Sequence, residues 1–562
     1  MKTEIAQLIK NHTSLTVEEI VELMETPPKE EMGDYSLPCF TMASLYKKSP
    51  ILIAEELKLN LEKEKNSSID KVVAVNGYLN IYLKKEYVIR HILCHALEKN
   101  FGSSQEGQGK TICMDYSSPN IAKNFHVGHL RTTLIGNSLY KIYKKLGYHV
   151  IRINHLGDWG TQFGKLIYAY ITWGTKEKVE EEGITELLRL YIIFHKEEEK
   201  NPSLIEEARG WFSKLEKENQ EALAIWKWFC EISLIEFERI YQRLGIQFDS
   251  YAGESYYMDK VPAVVKELEA KKLLQESQGA HIIDLSGYQM PPCLITKKDG
   301  SSIYPSRDLA AIFYRKETYQ FHKCLYVTGM EQKLHFEQVF KVVELMGYDW
   351  AKDLIHIPYG LVSLEGEKLS TRNGNIVYAE DIILEAIDRA GKLIEEKNSN
   401  LTDKENTARK VGTGAVIFHN LYNQRIKDTE FSWDKVLTFE GSSGPYIQYT
   451  YARSKSIMRK YKGEISYTGY AEILKEESCY QLLKIIGQFP EMMKEAAERY
   501  EPCIISRYAI TLSQSFNIFY HNTNILKEEE ENKKALMLLV YLTQKIIKEA
   551  LELLGIECPE EM

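Results

Sequence analysis

Thr111-Ile112-Cys113-Met114, then Asp115-Tyr116-Ser117-Ser118-Pro119-Asn120-Ile121-Ala122-Lys123-Asn124-Phe125-His126-Val127-Gly128-His129, then LRTTLIGNSLYKIYKKLG over 130–147, is the stretch whose reading decides the fold. The four opening residues form an apolar run of strand length. Leu130, Leu134, Ile135, Leu139, Ile142 and Leu146 then recur at helical spacing until Gly147 stops the pattern. His149-Val150-Ile151-Arg152-Ile153-Asn154 supplies a second strand. The order predicts one βαβ unit over 111–154, with its polar turn at the carboxyl end of a parallel sheet, where α/β folds bind ligands.

The turn has the chemistry of a nucleotide site. His126 and His129 are three residues apart at the first turn of a helix, where unpaired backbone N–H groups already favour an anion. Gly128, between them, has no side chain to hold an adenine ring off the backbone. Two imidazoles beside a triphosphate can stabilise the charge that builds when its α-phosphate is attacked, and one well-placed donor is worth roughly 10²–10³ in rate. Two solvated histidines at a helix start, or half of a metal site, is the competing reading of HxGH alone.

Longer matches bear on that choice. SSPNIAKNFHVGHLRTTLIGN at 117–137 resembles the HIGH signature of class I aminoacyl-tRNA synthetases, in the long form of the arginyl enzymes. HLGDWGTQFG at 155–164, YPSRDLAA at 304–311, GMEQKLHFEQVF at 329–340, EKLSTRNG at 367–374 and EGSSGPYIQYTYARSKSI at 440–457 continue the resemblance in order through nearly the whole chain. The resemblance implies an arginine–tRNA ligase that uses ATP and magnesium, with His126, Gly128 and His129 catalytic. It places the substrate's ammonium and carboxylate ends at Asp115, Ser118 and Asn120, and its guanidinium at Tyr304, Asp308 and Gln332. It also implies that arginine activation waits for bound tRNA. Without it, Asp308 reads more readily as a helix-start carboxylate acting as a cap or paired with Arg307, although planar, bidentate recognition of a guanidinium suits a carboxylate.

Leu361 to Gly374 reads as a strand end running into a Gly-punctuated basic loop, suited to clamp moving phosphates through Lys368 and Arg372; a surface turn is the plain alternative. It resembles the KMSKS loop, which makes Lys368, Ser370 and Arg372 catalytic candidates. Thr371 departs from the pattern by replacing the second lysine, and the resemblance assigns the missing cation to Lys123.

Composition sets outer bounds. A length of 562 residues, 44% hydrophobic, suits roughly four domain-sized units. No apolar run approaches the roughly 18–20 residues of a membrane helix, and the start MKTEIAQLIKNH lacks a signal peptide's apolar core. Nine cysteines without a CxxC pair read as reduced thiols in a cytosolic chain with no zinc site. A net charge of −9 requires any RNA surface to be local.

The expected fold class is α/β: an N-terminal α+β domain over 1–108, a Rossmann-like parallel-sheet catalytic domain over 109–384 with insertions at about 165–225 and 250–302, and an all-α C-terminal domain over 385–562. In the first, Asn76-Gly77 between two strand-like runs predicts a hairpin; resemblance gives this domain a tRNA contact. In the last, Arg453, Lys455, Arg459, Lys460 and Lys462 crowd among Tyr446, Tyr449, Tyr451 and Tyr461. Cations interleaved with rings suit a single-stranded RNA loop, and Arg453, Lys455 and Arg459 are the tRNA-binding candidates. A solvated basic helix with core tyrosines is the competing reading. Trp211, Trp226 and Trp228 are expected in packing, and KEEEENKK at 527–534 as a loop between helices.

The resemblance thus implies tRNA(Arg) and arginine as partners; no membrane partner is expected, and the chain is expected to act as a monomer. A small-molecule nucleotidyltransferase with the same HxGH turn would leave the residues of 304–332 and the C-terminal helices without a purpose. A non-catalytic tRNA-binding module would leave His126, His129 and Lys368 without one.

Overall fold

The βαβ unit is present in the computed structural model as strand β1 (Thr111–Asp115), helix α1 (Val127–Lys145) and strand β2 (His149–Ile153). The long helix α2 (Gln220–Leu244) follows after a group of shorter helices between Thr161 and Glu216. Helix α3 (Tyr304–Tyr319), strand β3 (Lys323–Gly329), helix α4 (Lys333–Leu345) and strand β4 (Leu354–Tyr359) complete the core. The described residues are 1–64, 68–298, 302–364, 367–368, 378–461, 463–465 and 472–562.

The four strands are parallel, in the order β4-β3-β1-β2, with Cys113 opposite Cys324 and Ile151. Ile112, Cys113 and Met114 are wholly buried, as the strand of a parallel sheet covered on both faces requires. Leaving β1 the chain winds towards β2, and leaving β3 it winds the other way towards β4. The loops after β1 and β3 therefore diverge, and the crevice between them is the switch point at which open parallel sheets hold ligands.

By contact, the described residues fall into two units: Met1–Phe101 with Ser454–Phe489 and Thr511–Ile546, and Gly102–Arg453 with Pro490–Ile510 and Ile547–Met562. The first contains the antiparallel sheet Tyr35–Pro38, Tyr78–Leu83 and Ile69–Val75. Its hairpin turns at Asn76 (φ 50°) and Gly77 (φ 84°), the two positive φ angles a tight hairpin turn needs. The second unit holds the parallel sheet and a small antiparallel sheet, Gln275–Ser277, Ala280–Ile283 and Cys293–Thr296.

Three local expectations change. The C-terminal part is not uniformly helical, because Thr429–Phe431 is a strand parallel to Val362–Leu364, a pairing that no local period announces. KEEEENKK is not all loop: helix Glu530–Leu554 starts inside it with Glu530 and Glu531 in its first turn, where carboxylates offset the helix dipole. Asp308 is not the cap of α3: the N-cap position is Ile303, whose N–H donates to Ser306 Oγ at 3.1 Å. All nine cysteines are free thiols. Among the described residues no helix is long and apolar enough to cross a membrane.

Candidate active site

The loop after β1 is strained and held from three directions. Ser117 (φ 74°), Ser118 (φ 46°) and Ala122 (φ 59°) lie in the left-handed region, which side chains with a Cβ avoid unless surrounding contacts impose it. The Ser117 N–H donates to Thr132 Oγ1 of α1 at 3.3 Å, and Ser117 Oγ accepts from Thr133 Oγ1 at 2.7 Å. Tyr241 of α2 hydrogen-bonds Ser117 Oγ at 2.7 Å, and Ser233 Oγ of the same helix accepts the Ala122 N–H at 3.0 Å. Just past β2, Asn154 Oδ1 accepts the Ser118 N–H at 3.1 Å. Gly157 bridges Asn120, and a Cβ on it would lie 2.1 Å from Asn120 Oδ1.

At the end of this loop the two histidines cap α1. The Gly128 N–H donates to His126 Nδ1 at 3.1 Å, and the His126 N–H donates to His129 Nδ1 at 3.3 Å. Their rings stack with centroids 3.8 Å apart. Because each Nδ1 accepts a backbone proton, each neutral ring carries its own proton on Nε2 and remains a donor there. Burial first, and the nearby Lys123 charge second, bring the His126 pKa down to about 4; burial, His126 and Lys123 hold His129 well below the ordinary histidine range. Gly128 has a use beyond leaving room for a base, since a Cβ there would sit 2.9 Å from His126 Cε1. Both histidines and Gly128 line a cavity of about 320 Å³ between the loops of β1 and β3. Lys123 is exposed and lies outside that lining, although its charge reaches both rings.

A second cavity of about 500 Å³ adjoins the first and shares with it Ser118, Asn120, Thr328, Glu331 and Gln332. It brings together Asp115, Ser118, Asn120, Tyr304, Asp308 and Gln332. Asp115 Oδ2 accepts from Arg315 Nη2 at 2.7 Å in a buried ion pair, and its Oδ1 accepts from Ser118 Oγ at 2.8 Å. Arg307 is not the partner of Asp308: its Nη1 turns to Glu254 Oε2 at 2.5 Å. Asp308 meets His335 Nε2 at 2.5 Å and His155 Nε2 at 3.9 Å. Burial pushes its carboxyl up, but the His335 hydrogen bond and the charges around it hold it below its usual value. Two of the carboxylates, Asp115 and Glu254, are thus matched by arginines, whereas within 4 Å Asp308 faces imidazoles. Of these three, Asp308 is the carboxylate that no arginine meets; Glu331, exposed and in the lining of both cavities, also forms no ion pair among the described residues.

The geometry agrees with comparisons to known proteins. Three family models cover the chain: "Arginyl tRNA synthetase N terminal domain" at 1–83, "tRNA synthetases class I (R), catalytic domain" at 89–433, and "DALR anticodon binding domain" at 447–562. An arginine–tRNA ligase of Halothermothrix orenii is 50% identical over 564 residues, 100% of this chain and 99% of the relative; one from Clostridioides difficile is 48% identical over the same shares. The chain belongs to the arginyl-tRNA synthetase family. The solved Thermus thermophilus arginyl-tRNA synthetase superposes with a TM-score of 0.84 at 26% identity, over 99% of this chain and 98% of that one.

For this family member, Ser370, Thr371 and Arg372 lie outside the described residues, and of Lys368 the structure describes the backbone, paired with Ser363. Helix α5 (Ala379–Lys397) and helix α6 (Gly444–Lys460) flank a further cavity of about 470 Å³ lined by Tyr446, Tyr449, Arg453, Phe439, Lys397 and Met562 among others. Arg453 lies over the Tyr449 ring at 4.9 Å. The two readings of α6 divide by residue: Tyr449 is 40% exposed, whereas Tyr451 is buried core. Lys455 and Arg459 are outside that cavity lining. The three tryptophans pack, Trp226 donating to the Asp158 carbonyl at 2.8 Å, Trp228 against Tyr170 and Trp211 under Lys214.

Sequence reasoning missed Glu254, Arg315, His335, Ser233 and Tyr241. His335 lies in GMEQKLHFEQVF, close to Gln332, and a titratable residue one turn along the helix from a proposed ligand was a usable signal. The others had none.

Proposed function

We propose that the chain activates arginine with ATP and transfers it to tRNA(Arg), with the chemistry at the shared wall of the two cavities. The observation that carries this reading is their pairing: neutral imidazole donors on one side, and on the other a carboxylate, Asp308, without an arginine partner. Arginine lies in the acidic cavity with its guanidinium at Asp308, Tyr304, Gln332 and Glu254. Its ammonium and carboxylate ends lie at Asp115, Ser118 and Asn120. The carboxylate attacks the ATP α-phosphate in line, pyrophosphate leaves, and the arginyl group passes from the adenylate to the 2′-hydroxyl of the terminal ribose. Nε2–H of His126 and of His129 donate to the phosphates as charge accumulates, and Lys123 with the loop of Lys368, Ser370 and Arg372 supplies cations. Positioning and fixed donors account for the rate, with no covalent enzyme intermediate.

Among the described residues no three His, Cys, Asp or Glu converge to hold a metal ion. Magnesium then arrives on the ATP phosphates, and no step is assigned to it. The segments 1–108 and 385–562 serve as tRNA-contacting domains, around a catalytic domain at 109–384, in a monomeric cytosolic enzyme. Charging total tRNA with each amino acid in turn tests the reading; acceptance of arginine alone supports it, and charging with another amino acid refutes it. Arginine-dependent ATP–pyrophosphate exchange at full rate without tRNA would exclude a requirement for bound tRNA.

Two further outcomes are expected. Burial raises the Glu254 carboxyl to about 7 against the pull of Arg307. Below that pH the group is neutral and offers less to a cation, so kcat/KM for arginine should rise with pH and level off above about 7. Glu254→Gln should flatten this limb; an unchanged limb assigns it elsewhere. On α6, Arg453→Ala with Lys455→Ala should raise the KM for tRNA and flatten its salt dependence, because released counterions scale with phosphate contacts. An unchanged salt slope would return this helix to an ordinary solvated surface.

A further inference from the structure

Glu254 opens the 3-10 helix Glu254–Lys260 and needs something to aim it. Its N–H donates to the Leu156 carbonyl at 3.0 Å, and the next residue is tied down harder. The Ser255 N–H donates to Asp158 Oδ1 at 2.8 Å, and Ser255 Oγ donates to Asp158 Oδ2 at 2.6 Å. Both oxygens of one buried carboxylate, 7% exposed, are thus spent on the residue after Glu254. On the other side of Glu254, a Cβ added to Gly253 would lie 2.7 Å from Asp158 Cγ, Oδ1 and Oδ2, so glycine is what lets the chain lie against the carboxylate. Asp158 itself is fixed by its N–H to Leu156 O at 3.0 Å and by Trp226 Nε1 on its carbonyl.

We propose that Asp158 is a positioning residue for substrate selection, which grips Gly253–Ser255 so that Glu254 presents its carboxylate to the cavity that takes the substrate's cationic head. Arg307 engages Glu254 Oε2, and Oε1 is the oxygen left for a ligand. The grip also sets a length. Gly157, adjacent to Asp158, abuts Asn120, so the three-residue strip 156–158 fixes the separation between Asn120 and Glu254, which line the same cavity. A substrate of one length, with a carboxylate at one end and a cation at the other, fits between two such fixed points. Burying an Asp costs free energy unless its oxygens are hydrogen-bonded, and here both bonds go to one short segment.

The inference rests on the arginine reading of the cavity, and the test separates the two. Steady-state aminoacylation with the full chain, at saturating tRNA, measures KM for arginine and for ATP in Asp158→Ala, Ser255→Ala, Glu254→Gln and the double variant Asp158→Ala with Glu254→Gln. Asp158→Ala is expected to raise the arginine KM about tenfold with the ATP KM within about twofold, a loss of ground-state binding confined to one substrate. The double variant should be no worse than Glu254→Gln alone by more than about twofold, because residues acting through one another are not additive. Multiplicative losses, or equal rises in both KM values, overturn the positioning role. Ser255→Ala removes one of the two bonds and should shift the arginine KM about threefold in the same direction; no shift overturns the proposal even if Asp158→Ala fails to fold. If Glu254→Gln alone leaves arginine kcat/KM at the wild-type value, the assignment of Glu254 to the guanidinium fails instead.

Discussion

Asp308→Asn is expected to lower kcat/KM for arginine by roughly 30–150-fold, about 2–3 kcal/mol, the lower part of the range for removing one partner of a hydrogen-bonded charge pair. The discount reflects a side chain that is 22% exposed and so partly screened. Arginine's head group is planar, permanently charged and rich in donors, and a carboxylate selects it in a way that lysine's point charge cannot satisfy. Asp308 is the carboxylate of the cavity whose neighbours within 4 Å are imidazoles, so among the described residues no arginine or lysine is paired with it, although the Arg315 charge helps to hold it ionised. Citrulline, neutral where arginine is charged, should be rejected by roughly 10⁴–10⁵, because it leaves that carboxylate unpaired. The Asn variant should narrow this ratio. Folding is not at stake at a partly exposed side chain, and circular dichroism should match wild type. A loss below about tenfold in arginine kcat/KM would remove Asp308 from the guanidinium site and make Asp115 the next carboxylate to test.

His129→Asn is expected to lower the rate of adenylate formation by roughly 10²–10³, the effect of one lost transition-state donor, with arginine and tRNA affinities nearly unchanged. The choice of Asn follows from the geometry. An Asn oxygen can stand where His129 Nδ1 accepts the His126 N–H, so the helix cap survives while the Nε2–H donor is lost. Gln reaches further, and His129→Gln should recover part of the rate. Because burial keeps both rings neutral, with His126 titrating near 4, the wild-type rate at saturating arginine should show no inflection near pH 6.5. An inflection there that disappears in a His126 variant would mean that the imidazoles act as cations. Lys123→Ala should also slow adenylate formation, measured with tRNA present; a wild-type rate would show that another group compensates for Thr371.

Much of the catalytic core was legible because it is written locally. The βαβ unit needs only an apolar run, a polar turn and a helical period within 111–154, and β1, α1 and β2 fall within those bounds. Asn76-Gly77 marked a hairpin because few dipeptides tolerate two positive φ angles. Tyr304 and Asp308, one helical turn apart, had to share a face, and both line the second cavity. Family membership, too, rests on contiguous motifs whose order the chain preserves.

What holds those residues in place was decided only by the tertiary structure. Asp115 and Arg315 are 200 residues apart and Ala122 and Ser233 are 111 apart, and such pairs meet because of how helices pack on a sheet, which no spacing encodes. The partner of Asp308 illustrates the point. Its sequence neighbour Arg307 was the natural ion-pair candidate, but successive residues on a helix point about 100° apart, so Arg307 turns to Glu254 while Asp308 faces His335 from α4. The sequence alone determined the sheet's first crossover, the order of the motifs and the family. The neutral state of the histidines, the matching of each carboxylate to its cation and the grip of Asp158 on Ser255 depend on burial and on hydrogen bonds between distant segments, and both exist only once the chain has packed.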